Sequence, residues 1–333
     1  MLSTRRFLIS TVVAAGLLLV ATACSSQGGA PAKTEAAAPS GGGAVATGPS
    51  YTIAMVTHEQ PGTTFWDRIR AGAEQAAAQH GITLKYSNDP SQQGQATLVQ
   101  NAIDSKVDAI TSTLQFPDAV GPELQKAADA GIPTVVFNGG MDVYQKYGAK
   151  LFFGSDEALA GKTIGERIAK EGGSKTLCVV HAQDVQALET RCDGVKQGFP
   201  DTENLQVDGA DLATAQATLQ AKLAQDPSIT NIVTLDAGVA GAAVQAKEAS
   251  NSQAEIAAFD LSQEVVTAIQ EGTIEYSVDQ QPYLQGYLAI DSLWLYLSNG
   301  NDIGGGLPVL TGPSFVDRSN VDAVAGFAAN NTR

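Results

Sequence analysis

Basic side chains are scarce in this chain of 333 residues. It carries 20 Lys and Arg against 35 Asp and Glu, which gives a formal net charge of −15 at pH 7. Nucleic-acid binding depends on Lys and Arg that neutralise phosphates, so this balance argues against a nucleic-acid partner. The same shortage disfavours a polybasic patch that would bind an anionic membrane surface.

Sequence motifs of common enzyme classes are missing as well. The three histidines, His58, His80 and His181, show no metal-ligand spacing such as H-E-x-x-H. Neither a phosphate-binding P-loop nor a G-x-S-x-G nucleophile motif is present. We therefore predict that the protein is not an enzyme and that it uses neither a metal nor a cofactor.

Long apolar runs are confined to the N-terminus, where residues 7–20 are apolar but too few for a comfortable membrane span. Two arginines precede this run, and small residues at 21–23 lead to Cys24, so residues 1–23 have the layout of a secretory signal peptide. The small residues that end in Cys resemble a bacterial lipobox. The resemblance implies cleavage before Cys24, a lipid on its sulfur, and anchoring to the outer face of the cytoplasmic membrane. An ordinary signal peptide with a nearby Cys and an uncleaved anchor are the alternatives.

Residues 24–49 begin with that cysteine and continue with Gly, Ala, Ser and Pro and almost no large apolar side chain. Such a segment cannot bury a core, which predicts a flexible tether. The whole chain is 44% hydrophobic and 17% charged, enough for sizeable cores. Its length favours about two domains.

Cysteine is scarce too, with three in the chain. Apart from Cys24, only Cys178 and Cys192 remain, the first at the end of an apolar run and the second on the predicted helix that follows. Because a signal peptide directs the chain to an oxidising compartment, we predict a disulfide between them. It would contribute up to about 3 kcal/mol in the chain-entropy model. Two buried free thiols are the alternative.

From residue 51 onwards, short apolar runs alternate with amphipathic stretches. Residues 51–57 are typical of a strand and residues 64–81 of a helix, and this alternation continues to a helix over 283–298 before an irregular tail. Strict alternation predicts parallel sheets with helices on both faces. Roughly 280 ordered residues exceed one comfortable core, so we predict the α/β class with two doubly wound parallel-sheet lobes.

Polar side chains follow most of the predicted strands. Because ligands on open parallel sheets bind outside the carboxyl ends of the strands, these positions are candidate ligand contacts. Phe65 and Trp66 begin the first helix, close to the first strand end. Amides and carboxylates beside aromatic faces suit a small polyhydroxylated ligand, whose hydroxyls donate and accept and whose C–H faces stack on rings. The strand-end positions are 57–59, 113–115, 138–139, 181–183, 236–237, 260–261 and 280–281.

Over about residues 51–325, the chain resembles the type I periplasmic-binding-protein family, most closely the ribose-type and simple-sugar substrate-binding lipoproteins of ABC importers. The resemblance rests on the combination of a lipobox, a polar tether and several matching segments. These are VTHEQPGTTFWDRIRAGAEQAA, DAITSTLQFPDAVGPELQKAADAGIPTVVFNGG, ETRCDGVKQGF and AAFDLSQEVVTAIQEGTIEYSVDQQPYLQGYLAID.

The resemblance implies two lobes joined by a three-segment hinge. The hinge crossings are expected near residues 154–156, 281–284 and 311–314. The N-terminal lobe would comprise 51–154 plus 284–311, and the C-terminal lobe 155–281 plus 314–330.

The resemblance also places a ligand pocket on particular residues. The chain departs from the pattern of ribose binders at two places. It has Asn138-Gly139 where ribose binders have Asp-Arg, and Glu189 where they have Arg. Because two guanidinium groups are lost, a different monosaccharide or a polyol is implied rather than ribose itself. The implied ligand-binding residues are His58, Phe65, Trp66, Asn138, Glu189, Asp236, Asp260 and Gln280.

These residues have simpler interpretations as well. Phe65 and Trp66 suit a core, and His58 suits a cap of the following turn. Asp236 and Asp260 suit helix caps. Glu189 suits a solvated helix face, and we predict a structural role for Arg191 beside it.

The resemblance implies a non-catalytic receptor of an ABC importer. Such a monomer captures a monosaccharide or polyol by closure of its lobes and delivers it to a permease in the membrane. A receptor that signals to a membrane kinase or chemoreceptor is the alternative. A glycoside hydrolase that uses Asp236 and Asp260 is a minor one. A sugar-responsive repressor is disfavoured, because a signal peptide and tether stand where DNA-binding helices would be.

Overall fold

The computed structural model describes residues 50–60 and 64–333. The predicted signal peptide, the predicted lipidation site at Cys24 and the predicted tether therefore lie outside the described residues. Across the part of the chain that is described, none of the helices combines the length and the apolar character that a bilayer crossing needs.

Strands and helices alternate along the described chain, as the sequence predicts. The strands are β1 (Thr52–Thr57), β2 (Thr83–Asn88), β3 (Ala109–Thr113), β4 (Thr134–Phe137), β5 (Leu151–Ser155), β6 (Thr176–Val180), β7 (Thr202–Gln206), β8 (Asn231–Thr234), β9 (Glu255–Phe259), β10 (Tyr276–Asp279), β11 (Val309–Gly312) and β12 (Ser314–Asp317). The helices are α1 (Thr64–His80), α2 (Gln92–Asp104), α3 (Pro117–Asp129), α4 (Glu157–Glu171), α5 (Gln186–Gly198), α6 (Leu212–Gln225), α7 (Ala237–Ser250), α8 (Gln263–Glu271), α9 (Pro282–Asn299) and α10 (Val321–Ala329).

The strands form two six-stranded sheets, ordered β11-β5-β4-β3-β1-β2 and β12-β10-β9-β8-β6-β7. We call the first sheet with its helices the first lobe, and the second sheet with its helices the second lobe. The chain passes between the sheets three times, after β5, after β10 and after β11. The predicted class of two α/β lobes with doubly wound, mainly parallel sheets is confirmed. The residue boundaries of the lobes remain a prediction.

Three parts of the architecture differ from the sequence prediction. Strand β5 was not predicted, because a turn rather than an amphipathic helix precedes it and the alternation is broken there. The tail is not irregular but contains β11, β12 and α10. Strands β11 and β12 have four residues each, lie at sheet edges and are only partly buried, so they lack an apolar run. Strand β12 also runs antiparallel to β10, a departure from a purely parallel sheet.

Each sheet is buried on both faces. In β1, Ile53 and Met55 pack with residues of α1 and α9, whereas Ala54 and Val56 pack with residues of α2 and α3. The second lobe repeats this division, with α6, α7, α8 and α10 on one face and α4 and α5 on the other. Successive side chains of a strand point to opposite faces of the sheet. A sheet that is covered on both faces therefore requires apolar side chains at all of these positions.

Glycines bring the helices that carry candidate site residues close to a neighbouring helix. A Cβ at Gly286 of α9 would collide with the backbone oxygen of Ile69 on α1. A Cβ at Gly161 of α4 would likewise collide with the backbone oxygen of Arg191 on α5. Because glycine has no side chain, it allows this backbone contact. The two helix pairs, α1–α9 and α4–α5, are therefore built in the same way in the two lobes.

Helix α5 is also tied to the sheet by a covalent bond. The structure joins Cys178 of β6 to Cys192 of α5, with their Cα atoms 5.8 Å apart. Both cysteines are fully buried among apolar side chains. The crosslink fixes α5 against β6.

Candidate ligand-binding site

A cavity of about 110 Å³ lies where strand ends of the two sheets face each other. The first lobe contributes neutral and aromatic side chains, and the second lobe contributes most of the charged ones. The lining residues are His58, Gln60, Phe65, Trp66, Gln115, Asn138, His181, Ala182, Val185, Ala187, Leu188, Arg191, Gly209, Leu235, Asp236, Asp260 and Gln280.

An aromatic cluster forms the wall of the first lobe. The ring centroid of Trp66 lies 4.8 Å from that of His58 and 5.2 Å from that of Phe65, both in edge-on arrangements. His58 is held by a hydrogen bond of 2.8 Å between its Nδ1 and the hydroxyl of Thr113 at the end of β3. Burial lowers the pKa of His58 to about 4, so its imidazole is neutral at neutral pH.

Asn138 follows β4 with a left-handed backbone, at a φ of 65°. Asparagine tolerates this conformation better than most residues. Its side-chain Nδ2 donates to Oε1 of Gln285 at 3.4 Å. The amide of Asn138 is therefore directed by a residue that does not itself line the cavity.

Among the described residues that line the cavity, Arg191 is the one cationic group. Both Nε and Nη2 of its guanidinium donate to the carboxylate of Glu157, the second at 3.0 Å. Nη1 donates to the carbonyl of Leu235 at 3.4 Å, and the guanidinium lies 4.5 Å from the ring centroid of Phe259. Burial opposes its charge, but the neighbouring carboxylates, Glu157 foremost, outweigh burial and raise the pKa of Arg191.

Asp236 has two roles at once. Its Oδ1 accepts from the backbone N–H of Gly238 at 2.7 Å and of Val239 at 3.1 Å, so it caps α7. It also lines the cavity. The helix-cap interpretation and the ligand-contact interpretation of Asp236 are thus compatible.

Asp260 follows β9 with a φ of 65°, the same value as Asn138 in the other lobe. Its Oδ1 accepts from Nε2 of Gln280 at 2.8 Å. Burial raises the pKa of Asp260 to about 7, with Arg191 acting against the rise and Asp236 adding to it. This carboxyl therefore titrates near neutral pH, in contrast to an ordinary surface aspartate.

Two buried polar atoms of cavity-lining residues have no hydrogen-bond partner among the described residues. They are Oε1 of Gln280 and Nδ1 of His181. Leaving such atoms unpaired costs about 1–3 kcal/mol each, so native proteins rarely do so without a reason. Burial lowers the pKa of His181, so this ring is neutral and offers one donor and one acceptor.

Gln115 bridges the two lobes beside the cavity. In the amide orientation that pairs its oxygen with donors, this oxygen accepts from the backbone N–H of Gln186 at 2.6 Å and of Ala187 at 3.1 Å. Gln115 lies after β3 of the first lobe, and both donors belong to the first turn of α5 in the second. The structure therefore holds the lobes in contact at this edge of the cavity.

The structure brings all but one of the predicted ligand-binding residues to the cavity. The exception is Glu189, which is exposed and does not line it. The buried face of α5 is formed by Leu188, Arg191, Cys192 and Val195, and Glu189 lies on another face. Arg191, two residues later, lines the cavity instead, and its bonds to Glu157 and Leu235 agree with the predicted structural role.

Three further polar residues of the cavity, Gln60, Gln115 and His181, are not among the ligand-binding residues that the family resemblance implies. Gln115 and His181 occupy the strand-end positions that follow β3 and β6, so the rule that identified Asp236 and Asp260 also applies to them. Gln60 lies just beyond the first strand end. No group of three or more His, Cys, Asp or Glu side chains is arranged to hold a metal ion within residues 50–60 and 64–333.

Comparison with known proteins adds independent findings. A family model described as a periplasmic binding protein domain matches residues 53–302. A carbohydrate transporter from Acidothermus cellulolyticus 11B, solved in complex with myo-inositol, is 50% identical, with a TM-score of 0.84 over 86% of this chain and 100% of that one. A xylose/arabinose-binding protein from Sulfolobus acidocaldarius is 23% identical over 84% of this chain and 74% of that protein. A solute-binding protein from Burkholderia graminis, solved with D-arabinose, shares the fold at 20% identity and a TM-score of 0.73, over 83% of this chain and 97% of that one.

Proposed function

The chain belongs to the periplasmic binding protein domain family, and on this premise we propose that it captures a monosaccharide or polyol for an ABC importer. The protein would be a non-catalytic receptor that delivers its ligand to a membrane permease. The half-identical relative that was solved with myo-inositol supports a cyclic polyol or a sugar of similar size. The relative from Sulfolobus, by its name, binds xylose and arabinose.

The unpaired atoms of Gln280 and His181 are the observation that carries this proposal. A ligand hydroxyl can donate to Oε1 of Gln280 and can donate to or accept from Nδ1 of His181. The carboxyl groups of Asp236 and Asp260 accept hydrogen bonds from further ligand hydroxyls. The ring of Trp66 offers a face to ligand C–H groups. A stereoisomer with a misplaced hydroxyl leaves one of these buried groups unpaired, and this is the source of selectivity.

The charge balance of the cavity favours a neutral ligand. The positive charge of Arg191 is already matched by Glu157, while Asp236 adds negative charge, as does Asp260 once the pH exceeds its pKa of about 7. His58 and His181 contribute no positive charge, because burial lowers the pKa of each. An anionic sugar, such as a uronate or a sugar phosphate, would meet uncompensated carboxylates in a poorly solvated cleft.

Closure of the lobes couples binding to delivery. The proposed contacts come from both lobes, so a ligand makes all of them only when the lobes are together. The bond from Gln115 to the first turn of α5 would contribute to the closed state even without ligand contact. Differential affinity for the closed state then shifts the population towards the form that docks on the permease.

The remaining predictions belong to the same proposal. We propose cleavage before Cys24, a lipid anchor on that residue, a tether to residue 49 and a monomeric body. We also propose that the disulfide between Cys178 and Cys192 forms in the cell envelope, and that the lobes have the boundaries given above.

A thermal-shift screen of the protein tests the proposal. The panel contains pentoses, hexoses, furanose sugars, inositols and linear polyols, with glucuronate and glucose 6-phosphate as anionic members. A ligand at about 100 times its dissociation constant stabilises the protein by about 2.7 kcal/mol, which shifts the melting temperature by several degrees. A stereoselective neutral hit supports the proposal, and no hit in the panel contradicts it. Loss of uptake of the hit on deletion of the gene separates transport from sensing.

A further inference from the structure

We propose that Gln285 is a positioning residue that aligns the ligand contacts of the two lobes from outside the cavity. The inference rests on the proposed function. Gln285 lies in the first turns of α9, is fully buried, and does not line the cavity. A fully buried amide must use its hydrogen-bonding groups inside the protein, and those of Gln285 reach two residues that do line the cavity.

The two ends of this amide have different partners. Oε1 of Gln285 accepts from Nδ2 of Asn138 at 3.4 Å, and Nε2 donates to the carbonyl of Gln280 at 3.2 Å. Asn138 belongs to the first lobe, and Gln280 immediately follows β10 of the second. The side chain of Gln285 therefore joins the cavity-lining amide of Asn138 in the first lobe to the backbone of the hinge at Gln280.

The connection continues into the second lobe. Nε2 of Gln280 donates to Oδ1 of Asp260 at 2.8 Å. A chain of hydrogen bonds thus runs from Asn138 through Gln285 and Gln280 to Asp260. All four residues are buried, with exposed fractions of 8%, 0%, 1% and 5%, so water competes little for these bonds.

Two members of this chain, Asn138 and Gln280, direct a side-chain group into the cavity. With one side of its amide turned to Gln285, Asn138 presents the other side to ligand. With Nε2 turned to Asp260, Gln280 leaves Oε1 free for a ligand donor. Gln285 therefore orients the amide of Asn138 directly, and it holds the backbone of Gln280, whose own amide is oriented by Asp260. Together these bonds set the pattern of donors and acceptors that the ligand meets.

Thr311 supplies a matched control. Its hydroxyl donates to the same carbonyl of Gln280 at 2.7 Å, and it is 2% exposed. Thr311 therefore supports the hinge in the same place, but no hydrogen bond links it to Asn138. Removal of either side chain deletes one hydrogen bond to the carbonyl of Gln280, and only removal of Gln285 also releases Asn138.

The test compares Gln285→Met, which keeps the length and volume of the side chain, with Thr311→Val. Binding is measured by calorimetry with myo-inositol first and then with the other members of the screen. We expect Gln285→Met to raise the dissociation constant at least tenfold and Thr311→Val to raise it less than threefold. The melting temperature of the ligand-free protein should fall in both variants, and further in Gln285→Met, because this variant also loses the bond to Asn138. Gln285→Asn, which keeps the amide but shortens it by one methylene, replaces Gln285→Met if that variant does not fold.

A double-mutant cycle with Asn138→Ala separates positioning from general loosening. If Gln285 acts through Asn138, Gln285→Met changes affinity less than threefold in the Asn138→Ala background. Equal effects of Gln285→Met and Thr311→Val in the wild-type background, or full additivity with Asn138→Ala, overturn the inference while the proposed function stands. If the wild-type protein binds no member of the panel, the proposed function itself fails.

Discussion

The two lobes share one framework but present different chemistry to the cleft between them. Each has a six-stranded sheet, a glycine-mediated helix pair and a strand-end residue at a φ of 65°, Asn138 in one and Asp260 in the other. The first lobe adds a neutral imidazole and aromatic rings to its amide. The second adds two carboxylates and a paired guanidinium. The framework that the two lobes share therefore does not determine which ligand is bound. The side chains at the strand ends determine what each wall can recognise.

We propose separate tasks for the two walls. Because rings stack on any sugar that has an apolar face, the aromatic rings of the first lobe would contribute affinity with little discrimination among stereoisomers. Because buried charged groups require a correctly placed hydroxyl partner, the charged groups of the second lobe would contribute selectivity. The predictions below change one wall or the shared framework at a time.

The largest effect is expected from breaking the charged wall at Arg191. Arg191→Met leaves the carboxylate of Glu157 unpaired, and the side chain of Glu157 is only 11% exposed. We expect the free energy of unfolding to fall by about 3–5 kcal/mol, measured by urea denaturation. The double variant with Glu157→Gln should regain much of this loss, because the unpaired charge is gone. A double variant no more stable than the single one contradicts the argument.

The shared framework is tested by adding a methyl group to each helix pair. Gly286→Ala in the first lobe and Gly161→Ala in the second should each lower the free energy of unfolding by about 1–3 kcal/mol, because both methyls meet backbone. Gly241→Ala on α7 is the control, since a Cβ there meets no atom within 4 Å. The control should be neutral or stabilising by up to about 1 kcal/mol. A large loss in one lobe alone would show that the frameworks are not equivalent.

The walls should respond to pH in opposite directions. Burial raises the pKa of Asp260 from 3.8 to about 7, so the folded state retains a proton there and its stability falls as pH rises across that range. Burial lowers the pKa of His58 from 6.5 to about 4, so stability rises with pH between those values. Relative to wild type, Asp260→Asn should make the slope of unfolding free energy against pH more positive, and His58→Gln more negative. Each change should approach about 1.4 kcal/mol per pH unit between about pH 4.5 and 6.

Urea denaturation at a series of pH values measures both slopes. Changes of the same sign in the two variants contradict the assigned environments.

The smallest effect on stability, but a clear one on binding, is expected at Asp236. Asp236→Asn keeps an oxygen for the cap of α7, so the free energy of unfolding should change by less than about 0.5 kcal/mol. Loss of a charged acceptor should weaken binding of the preferred ligand about tenfold and should weaken its epimers unequally. Trp66→Leu should instead weaken all sugars of the panel by similar factors. Calorimetry across the panel distinguishes the two patterns, and a uniform loss with Asp236→Asn is evidence against separate tasks.

Much of the fold and part of the site follow from local sequence. Strand β1 and helix α1 have clear hydrophobic periodicities. Asp236 and Asp260 directly follow apolar runs, at the carboxyl ends of parallel strands, where open sheets bind ligands. The face of α5 that is turned to the cavity was harder to predict from the sequence. A shift of two residues along this helix exchanges the exposed Glu189 for the buried Arg191. Edge strands β11 and β12 are short and half-exposed, so they carry a weak pattern.

The long-range contacts around the cavity could not be predicted from local pattern. Asn138 and Gln285 are 147 positions apart, and Gln115 meets a turn of α5 that is 71 residues later in the chain. Such pairs depend on the assembled tertiary structure rather than on propensity or period. Their residues are neutral amides, which are common at strand ends and on helices for many other reasons.

The most direct test of the central claim is a calorimetric titration of the protein with neutral sugars and polyols, their epimers and their anionic counterparts. We expect one neutral ligand to bind with a dissociation constant of about 1 μM or lower, corresponding to about −8 kcal/mol. We also expect at least tenfold weaker binding of an epimer and no measurable binding of glucuronate or glucose 6-phosphate. Tighter binding of an anionic ligand than of any neutral one, or equal binding of all epimers, would contradict it.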